Sequence, residues 1–492
     1  MFIQPALCVF FVFLAVIAAQ RLVFHPLRKL PGPLLAAASG WYTAYYNICQ
    51  GGKLVEHLEA LHAVYGPIVR IGPNEVHFSD PRAYYAIYSR SSRLEKDRRL
   101  YDAFQANSSL FGTPDWPTAK ALKDTLSPLF SRRAILKLET VIQDKADKLI
   151  SRLTSFETSN VPANLYMAFR STSLDVIMSY CFSQSFDALE HPNFSHRVLV
   201  SMESTTSVMI WIYKHFPFLR LLASLPSWML PESQKGLSDL RQALSTQVAI
   251  VTADPDSLQD LEHESIYHHL LARPTKGLQE APSHLALLDE AQSLAFAGSL
   301  TVGNACIVAS LHILTNTSIW IKLARELVEV WPDQDVPVEF EALEKLPYLT
   351  AVIKEALRMS HGVATPLPRI VGPSALEILG CHIPSGTVVS MGVTFIHNNS
   401  DIFSDPFSFD PERWLGPNAK ELEPHLVAFS KGPRSCIGIN LAWCELYILL
   451  ANVFRKLELT LDGATVDDIK FRDYFTPAYV GKPVHAFVKR KP

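Results

Sequence analysis

Cysteine is sparse in this 492-residue chain: seven, at 8, 49, 181, 306, 381, 436 and 444, with no Cys-x-x-Cys and no closely spaced pairs. An odd, scattered set argues against a disulfide-built secreted domain and against a clustered zinc site. Charge of one sign is lacking as well. Forty-five Lys and Arg balance 48 Asp and Glu for a net charge of −3, and no long basic run occurs, so nucleic acid is not the expected partner. No Gly/Ser-rich linker, charge block or internal repeat marks a domain boundary. Length alone suggests about three domains, but residues 34–492 read as a single catalytic unit. At 48% hydrophobic and 19% charged, the chain has ample material for a large core. Patterning along it predicts a helix start at Ser79-Asp80-Pro81, a helix over 118–130 and a long amphipathic helix from Ala134 towards Ser185 with a second over Phe169–Phe182. Residues 252–286 read as a polar surface connection and Asp473–Val488 as a closing hairpin.

Polar side chains are missing from Phe2–Ala19 except for Gln4, and Arg21, Arg28 and Lys29 follow. Eighteen apolar-rich residues are just long enough to cross a bilayer as a helix. The basic residues behind them place the body on the cytoplasmic side. Residues 1–24 are therefore expected to be an uncleaved membrane anchor and 25–33, His25-Pro-Leu-Arg-Lys-Leu-Pro-Gly-Pro33, a stiff hinge. A cleaved signal peptide ending near Val16–Ala18 is the rival, disfavoured by the absent basic leader. Four Asn-x-Ser/Thr sequons, at Asn107, Asn193, Asn316 and Asn398, would matter only in a lumen.

The chemistry concentrates at Phe429-Ser-Lys-Gly-Pro-Arg-Ser-Cys436-Ile-Gly438, a loop of Gly, Pro and small polar residues followed by the apolar, helically spaced Ile439–Phe454. A cysteine at the mouth of a helix has its thiolate stabilised by the helix N-terminus and by loop amides. Such a thiolate is a nucleophile or a metal ligand. A nucleophile needs a basic partner, and no His lies near in sequence, though a distant one stays open. Zinc needs further ligands at short spacing, and Cys444 is too far along the same helix. Axial ligation of haem iron remains, beside the plain alternative of a buried structural thiol.

The pattern F-x-x-G-x-R-x-C-x-G, carried here by Phe429, Gly432, Arg434, Cys436 and Gly438, resembles the haem-binding loop of the cytochrome P-450 superfamily. Further motifs follow in family order. Ala297-Gly298-Ser-Leu300-Thr301, inside the apolar stretch Leu285–Leu314, resembles the oxygen-activating segment, with Thr301 in the hydroxyl position and Leu300 where an acid is usual. Glu355-x-x-Arg358 with Arg413 resembles the family's buried structural triad. Arg369 and Arg434 match its haem-propionate ligands. Ala119 and Lys123 stand where relatives place an aromatic or His and a basic propionate ligand. Tyr65–Tyr88 and Leu126–Arg133 resemble fungal members of the trichodiene-oxygenase type.

The resemblance implies a mainly α fold with smaller β sheets, preceded by one N-terminal transmembrane helix. Haem b would be held by the Cys436 thiolate between the Thr301 helix and the Cys436 helix. Residues 186–235 would form an apolar lid, and Val363, Ala364, Thr365 and Tyr474–Tyr479 would face the pocket. The implied reaction inserts one oxygen atom from O2 into an apolar, terpenoid-like small molecule of fungal secondary metabolism, by hydroxylation or epoxidation. Electrons would come from NADPH through cytochrome P-450 reductase, with cytochrome b5 as a further donor, at the endoplasmic reticulum membrane. The reductase would dock over Lys120, Lys123 and Lys431. Two rivals stay open: a redox-neutral haem-thiolate isomerase or dehydratase, which would account for Leu300, and a non-catalytic haem-binding protein.

Overall fold

The computed structural model describes residues 12–13, 15–89, 94–205, 208–224, 227–229, 232–272 and 282–491. Half of the expected anchor lies outside these residues, as do parts of the expected lid. Within the described part, Ala15–Phe24 is a short apolar helix, with Val16, Val23 and Phe24 exposed. The hinge is fixed to the body rather than free: the Arg70 amide donates to the Pro31 carbonyl at 2.7 Å. Gly32 is required there, since a Cβ would fall 2.4 Å from the Arg70 carbonyl oxygen.

Helix Leu54–Tyr65 buries Leu54, Val55, Leu58 and Leu61 at helical spacing and stops at Gly66, which takes φ +86°. Strands Ile68–Gly72 and Glu75–Phe78 then pair antiparallel around the Gly-Pro-Asn turn. They form one edge of a five-stranded sheet completed, in order, by Val388–Ser390, Arg369–Ile370 and Glu95–Lys96. Asp80 caps the Pro81–Tyr88 helix by accepting from the Arg82 amide at 2.8 Å.

Most of the molecule is helical and is built around His284–Thr315, a 32-residue helix buried along most of its length. It is the one helix among the described residues long and apolar enough to cross a membrane, yet it is core: 78% of its most apolar window is buried inside the protein. Helix Leu165–Phe182 crosses it closely. A Cβ on Gly298 would lie 2.5 Å from Ile177 Cγ1, and one on Gly303 would lie 2.8 Å from Arg170 Cγ. Glycine at both positions lets the two helices touch. Helix Ile439–Lys456 packs on the central helix and on Glu139–Thr154.

Several boundaries differ from the sequence reading. The helix expected over 118–130 runs Trp116–Leu126, because Asp115 accepts from the Thr118 amide and sets its start. The long stretch 134–185 divides into Arg132–Lys137, Glu139–Thr154 and Leu165–Phe182. Residues 252–286 are not wholly a surface connection, since the short helix Ile266–Leu271 buries Ile266, Tyr267 and Leu270. The expected hairpin over 473–488 is instead Phe471–Tyr474 paired with Thr476–Tyr479. The last strand, His485–Arg490, joins Leu457–Leu461 and Ala163–Asn164 in a separate sheet.

Candidate active site

The Cys436 loop is shaped by one obligatory glycine. Gly432 has φ +69°, and a Cβ there would sit 2.3 Å from the Tyr88 carbonyl oxygen and 2.5 Å from that of Ser89. The turn Gly432–Arg434 leads to Cys436, whose amide donates to the Phe429 carbonyl at 3.0 Å. The following helix, Ile439–Lys456, starts directly behind at Gly438. Cys436 is exposed at the mouth of that helix, yet protein crowds around its thiol. That enclosure pushes its pKa up, while the Gly438 amide and the Lys123 charge pull it back.

The central helix presents a matching open side. Most of it is buried, but Ala297 is exposed and Phe296, Gly298 and Thr301 are partly so. Thr301 Oγ1 donates to the Ala297 carbonyl at 3.0 Å, a bond back along its own helix. Leu300 points into the core and is 3% exposed. Gly298 serves chiefly the crossing with Ile177, so the small side chain on the open face is Ala297.

Between these elements and the sheet lies a group of buried cations. Lys96 and Arg369 are opposite residues on paired antiparallel strands, so their side chains leave the same face. Arg369 Nη1 donates to Tyr101 Oη at 2.6 Å and to the Pro368 carbonyl at 3.0 Å. Arg434 donates to the Thr113 and Pro114 carbonyls at 3.0 and 2.6 Å and lies 5.5 Å over the Trp116 ring. Its Nε is buried without a partner among the described residues. Lys96 Nζ donates to the Leu110 and Phe111 carbonyls. Burial, and then the neighbouring Arg434 and Arg369, hold the Lys96 pKa far below its ordinary value. The same two causes bring Arg434 down to about 10.

Buried like charges of this kind call for an anion. Glu290, the carboxyl that acts on Lys96, already accepts from the Leu110 amide at 2.6 Å. A flat group with its own carboxylates, seated between Ala297 and Cys436, fits both the open side of the central helix and the unpartnered Arg434 Nε.

The four basic residues have unequal roles. Lys123 sits on the proximal side, with Nζ donating to the Pro433 and Ser435 carbonyls at 2.9 and 3.0 Å. It therefore also braces the Cys436 loop. Ala119 is fully buried. Lys120 is exposed and pairs with Asp124. Sequence reading missed Lys96, Tyr101 and Trp116. Lys96 is brought to the site by strand pairing with a distant segment, and no local pattern announces that.

Glu355, Arg358 and Arg413 come together as expected from the resemblance. Glu355 Oε1 accepts from Arg358 Nη2 at 2.7 Å, Arg413 Nε at 3.0 Å and the Asp410 amide at 3.0 Å. Its Oε2 accepts from Arg358 Nε and Trp414 Nε1, both at 2.9 Å. Burial alone would raise the Glu355 pKa, but the two arginines outweigh it and the net direction is down. Arg358 also ties the segment ahead of the cysteine loop through the His397, Pro406 and Ser408 carbonyls.

Comparison with known proteins agrees with this geometry. The cytochrome P450 family profile matches residues 39–480. Cytochrome P450 monooxygenase flvC of Aspergillus flavus is 34% identical, over 94% of this chain and 91% of its own. Tryptophan 6-hydroxylase fscE of Fusarium equiseti is 35% identical, over 94% and 92%. Conidiogenone synthase PchP450 of Penicillium rubens is 36% identical, over 94% and 93%. With its cysteine loop, threonine-bearing central helix and helical body covered end to end by that profile, the chain belongs to the cytochrome P450 family of monooxygenases.

Proposed function

We propose that the protein holds haem b through the Cys436 thiolate and inserts one atom of O2 into an apolar small molecule of fungal secondary metabolism, by hydroxylation or epoxidation. The observation that carries this reading is the coincidence of an exposed thiol at the mouth of a helix with a buried, unpartnered Arg434 Nε among neighbouring cations. Arg369, Arg434, Lys96 and, on the proximal side, Lys123 would hold the haem carboxylates. Haem, when bound, supplies the activation of O2 with electrons from outside. Phe429, Gly432 and Gly438 shape the thiolate's loop, and the Gly438 amide favours the anionic sulfur against the effect of burial. Ala297 and Gly298 leave room on the opposite side.

Thr301 Oγ1 is the hydroxyl placed to hold a proton there, since its bond to the Ala297 carbonyl leaves both lone pairs as acceptors. The triad of Glu355, Arg358 and Arg413 keeps the cysteine segment in place and touches no reacting atom. Phe104, Phe111 and Phe475, whose ring centroids lie 4.6–5.6 Å apart, roof the site and exclude water. Relatives named as 6-hydroxylases of tryptophan and of N-acetyltryptophan point to substrates with a flat aromatic portion. Electrons would come from NADPH through cytochrome P450 reductase, with cytochrome b5 as a second donor. The anchor would hold the protein on the cytoplasmic side of the endoplasmic reticulum.

The test is the reduced, CO-bound spectrum. Thiolate ligation gives a red-shifted Soret band, and Cys436→Ala should abolish it; an unaltered band in that variant would place the ligand elsewhere. Leu300 favours one second reading, a redox-neutral isomerase or dehydratase on the same haem thiolate, which needs no proton relay. Label from O2 in the product, with NADPH consumed in step, would separate the first reading from the second.

A further inference from the structure

Asp473 is a carboxyl group with one oxygen spoken for and the other not. It is 1% exposed and lies in the Phe471–Tyr474 strand, one residue before the hairpin's end. Its Oδ1 accepts from the Thr365 hydroxyl and from the Phe475 amide, the latter at 3.1 Å. Its backbone is fixed on both sides: the carbonyl accepts from Trp211 Nε1 at 2.8 Å, and the amide donates to the Gly52 carbonyl at 2.9 Å. Oδ2 is buried and has no partner among the described residues.

Thr365 and Phe475, the hydrogen-bond partners of Asp473, are among the residues expected to face the pocket. Phe475, two residues on, packs edge-on against Phe104 at 4.6 Å and Phe111 at 5.6 Å. Phe111 contacts Tyr101, which accepts from Arg369. The Phe475 carbonyl accepts from the Ala364 amide at 2.9 Å, which ties the hairpin tip to 363–365. From the lid side come Trp211, with Met209 and Ile212 in the same apolar cluster. A carboxyl oxygen sealed among aromatic rings without a donor is costly, and sites of this composition use a few such groups to orient apolar ligands. Burial pushes the Asp473 pKa up to about 6, against the pull of the Thr365 and Phe475 hydrogen bonds and, less, of the Lys214 charge.

We propose that Asp473 Oδ2 is the polar anchor of the substrate pocket, and that the substrate is an apolar body bearing a hydrogen-bond donor, an N–H or O–H. This rests on the reading that an apolar small molecule binds beside the central helix. The donor would lie under Phe475, which shifts to admit it. The hydrogen bond to Oδ2 fixes which edge of the ligand faces Ala297 and Thr301. Asp473 is thus a binding residue that selects and orients.

Indole and benzofuran form a matched pair of probes: the same shape, with an N–H replaced by an acceptor oxygen. Equilibrium dialysis of the full-length protein should give indole about tenfold tighter binding than benzofuran. In Asp473→Asn, one oxygen still accepts from Thr365 and Phe475 while an amide NH2 takes the place of Oδ2. Its indole preference should fall to about onefold. Equal binding of the two probes by the unaltered protein would overturn the proposal without any variant. So would an Asp473→Asn protein that keeps the tenfold ratio, or one that loses both probes equally, which would mark a purely structural carboxyl. Dialysis does not depend on the ligand of the iron. A missing red-shifted CO band on the same sample would reject the haem-thiolate reading while the probe ratio still decided this one.

Discussion

Single residues in this protein carry charge into places where charge is expensive, and Glu290 shows the consequence for pH. It sits on the central helix, fully buried, and accepts from the Leu110 amide. Its neighbour Asp289 does the same for the Ser108 amide at 3.0 Å. Burial raises the Glu290 pKa to about 7, against the pull of the Leu110 amide and Lys96. A carboxyl raised from about 4.5 to about 7 binds its proton more tightly folded than unfolded. Its contribution to stability is therefore complete below about pH 4.5 and is lost as pH rises through 7. The span corresponds to about 3 kcal/mol. Glu290→Gln keeps an acceptor for Leu110 and removes the titration. Urea unfolding from pH 4.5 to 8 should show the unaltered protein losing roughly that much more stability than the variant; parallel pH profiles would refute it. Lys96, packed against the same loop from the other side, explains why such residues escape sequence reading. Its burial comes from strand pairing with Arg369 and from carbonyls of a loop, none of which leaves a local signature.

At the level of elements, the motifs that act locally were legible and those that depend on crossing partners were not. The Cys436 loop and the helix behind it could be read because a turn glycine, a thiol and an apolar helix stand consecutively. Asp80 before Pro81 announced a helix start that the structure has. The end of the hairpin after Asp473 was misplaced because His485–Arg490 finds its partner in Leu457–Leu461, a long-range pairing that alternation alone does not choose. Gly298 is the instructive case. Its place in an Ala-Gly-x-x-Thr segment suggests close approach of a cofactor, whereas its missing Cβ faces Ile177 on the crossing helix. Gly298→Ala should gain helix propensity yet lose stability overall, by about 1–3 kcal/mol, because the added carbon would meet Ile177 Cγ1 at 2.5 Å. Chemical denaturation of Gly298→Ala, Ile177→Ala and the double variant measures this. The double variant should cost less than the sum of the two single changes, and strict additivity would show that the two side chains do not compete for space.

On the scale of the whole molecule, apolar surface is distributed unevenly. Val23, Phe24, Leu34, Leu35 and Trp41 are more than half exposed, and so are Phe218, Leu221 and Trp228 from the segment read as a lid. The two sets are joined, since Trp41 packs edge-on against Phe216 with ring centroids 5.2 Å apart. Arg28 and Lys29 are exposed beside them, which suits an anionic headgroup layer. A patch of this size with a basic margin is more than scattered surface leucines provide. The body itself should therefore hold to a bilayer, with or without the proposed anchor of residues 1–24. A chain beginning at His25 should still float with vesicles containing phosphatidylserine. Placing a charge in the patch, as Trp41→Glu or Leu221→Glu, should weaken that partition by about tenfold each, the effect of withholding one large apolar side chain from the lipid. Val328→Glu, on an exposed apolar residue of the Thr317–Val330 helix, should change nothing. If the His25 chain stays in solution, or if Val328→Glu weakens binding as much as Leu221→Glu, the patch is not what meets the membrane.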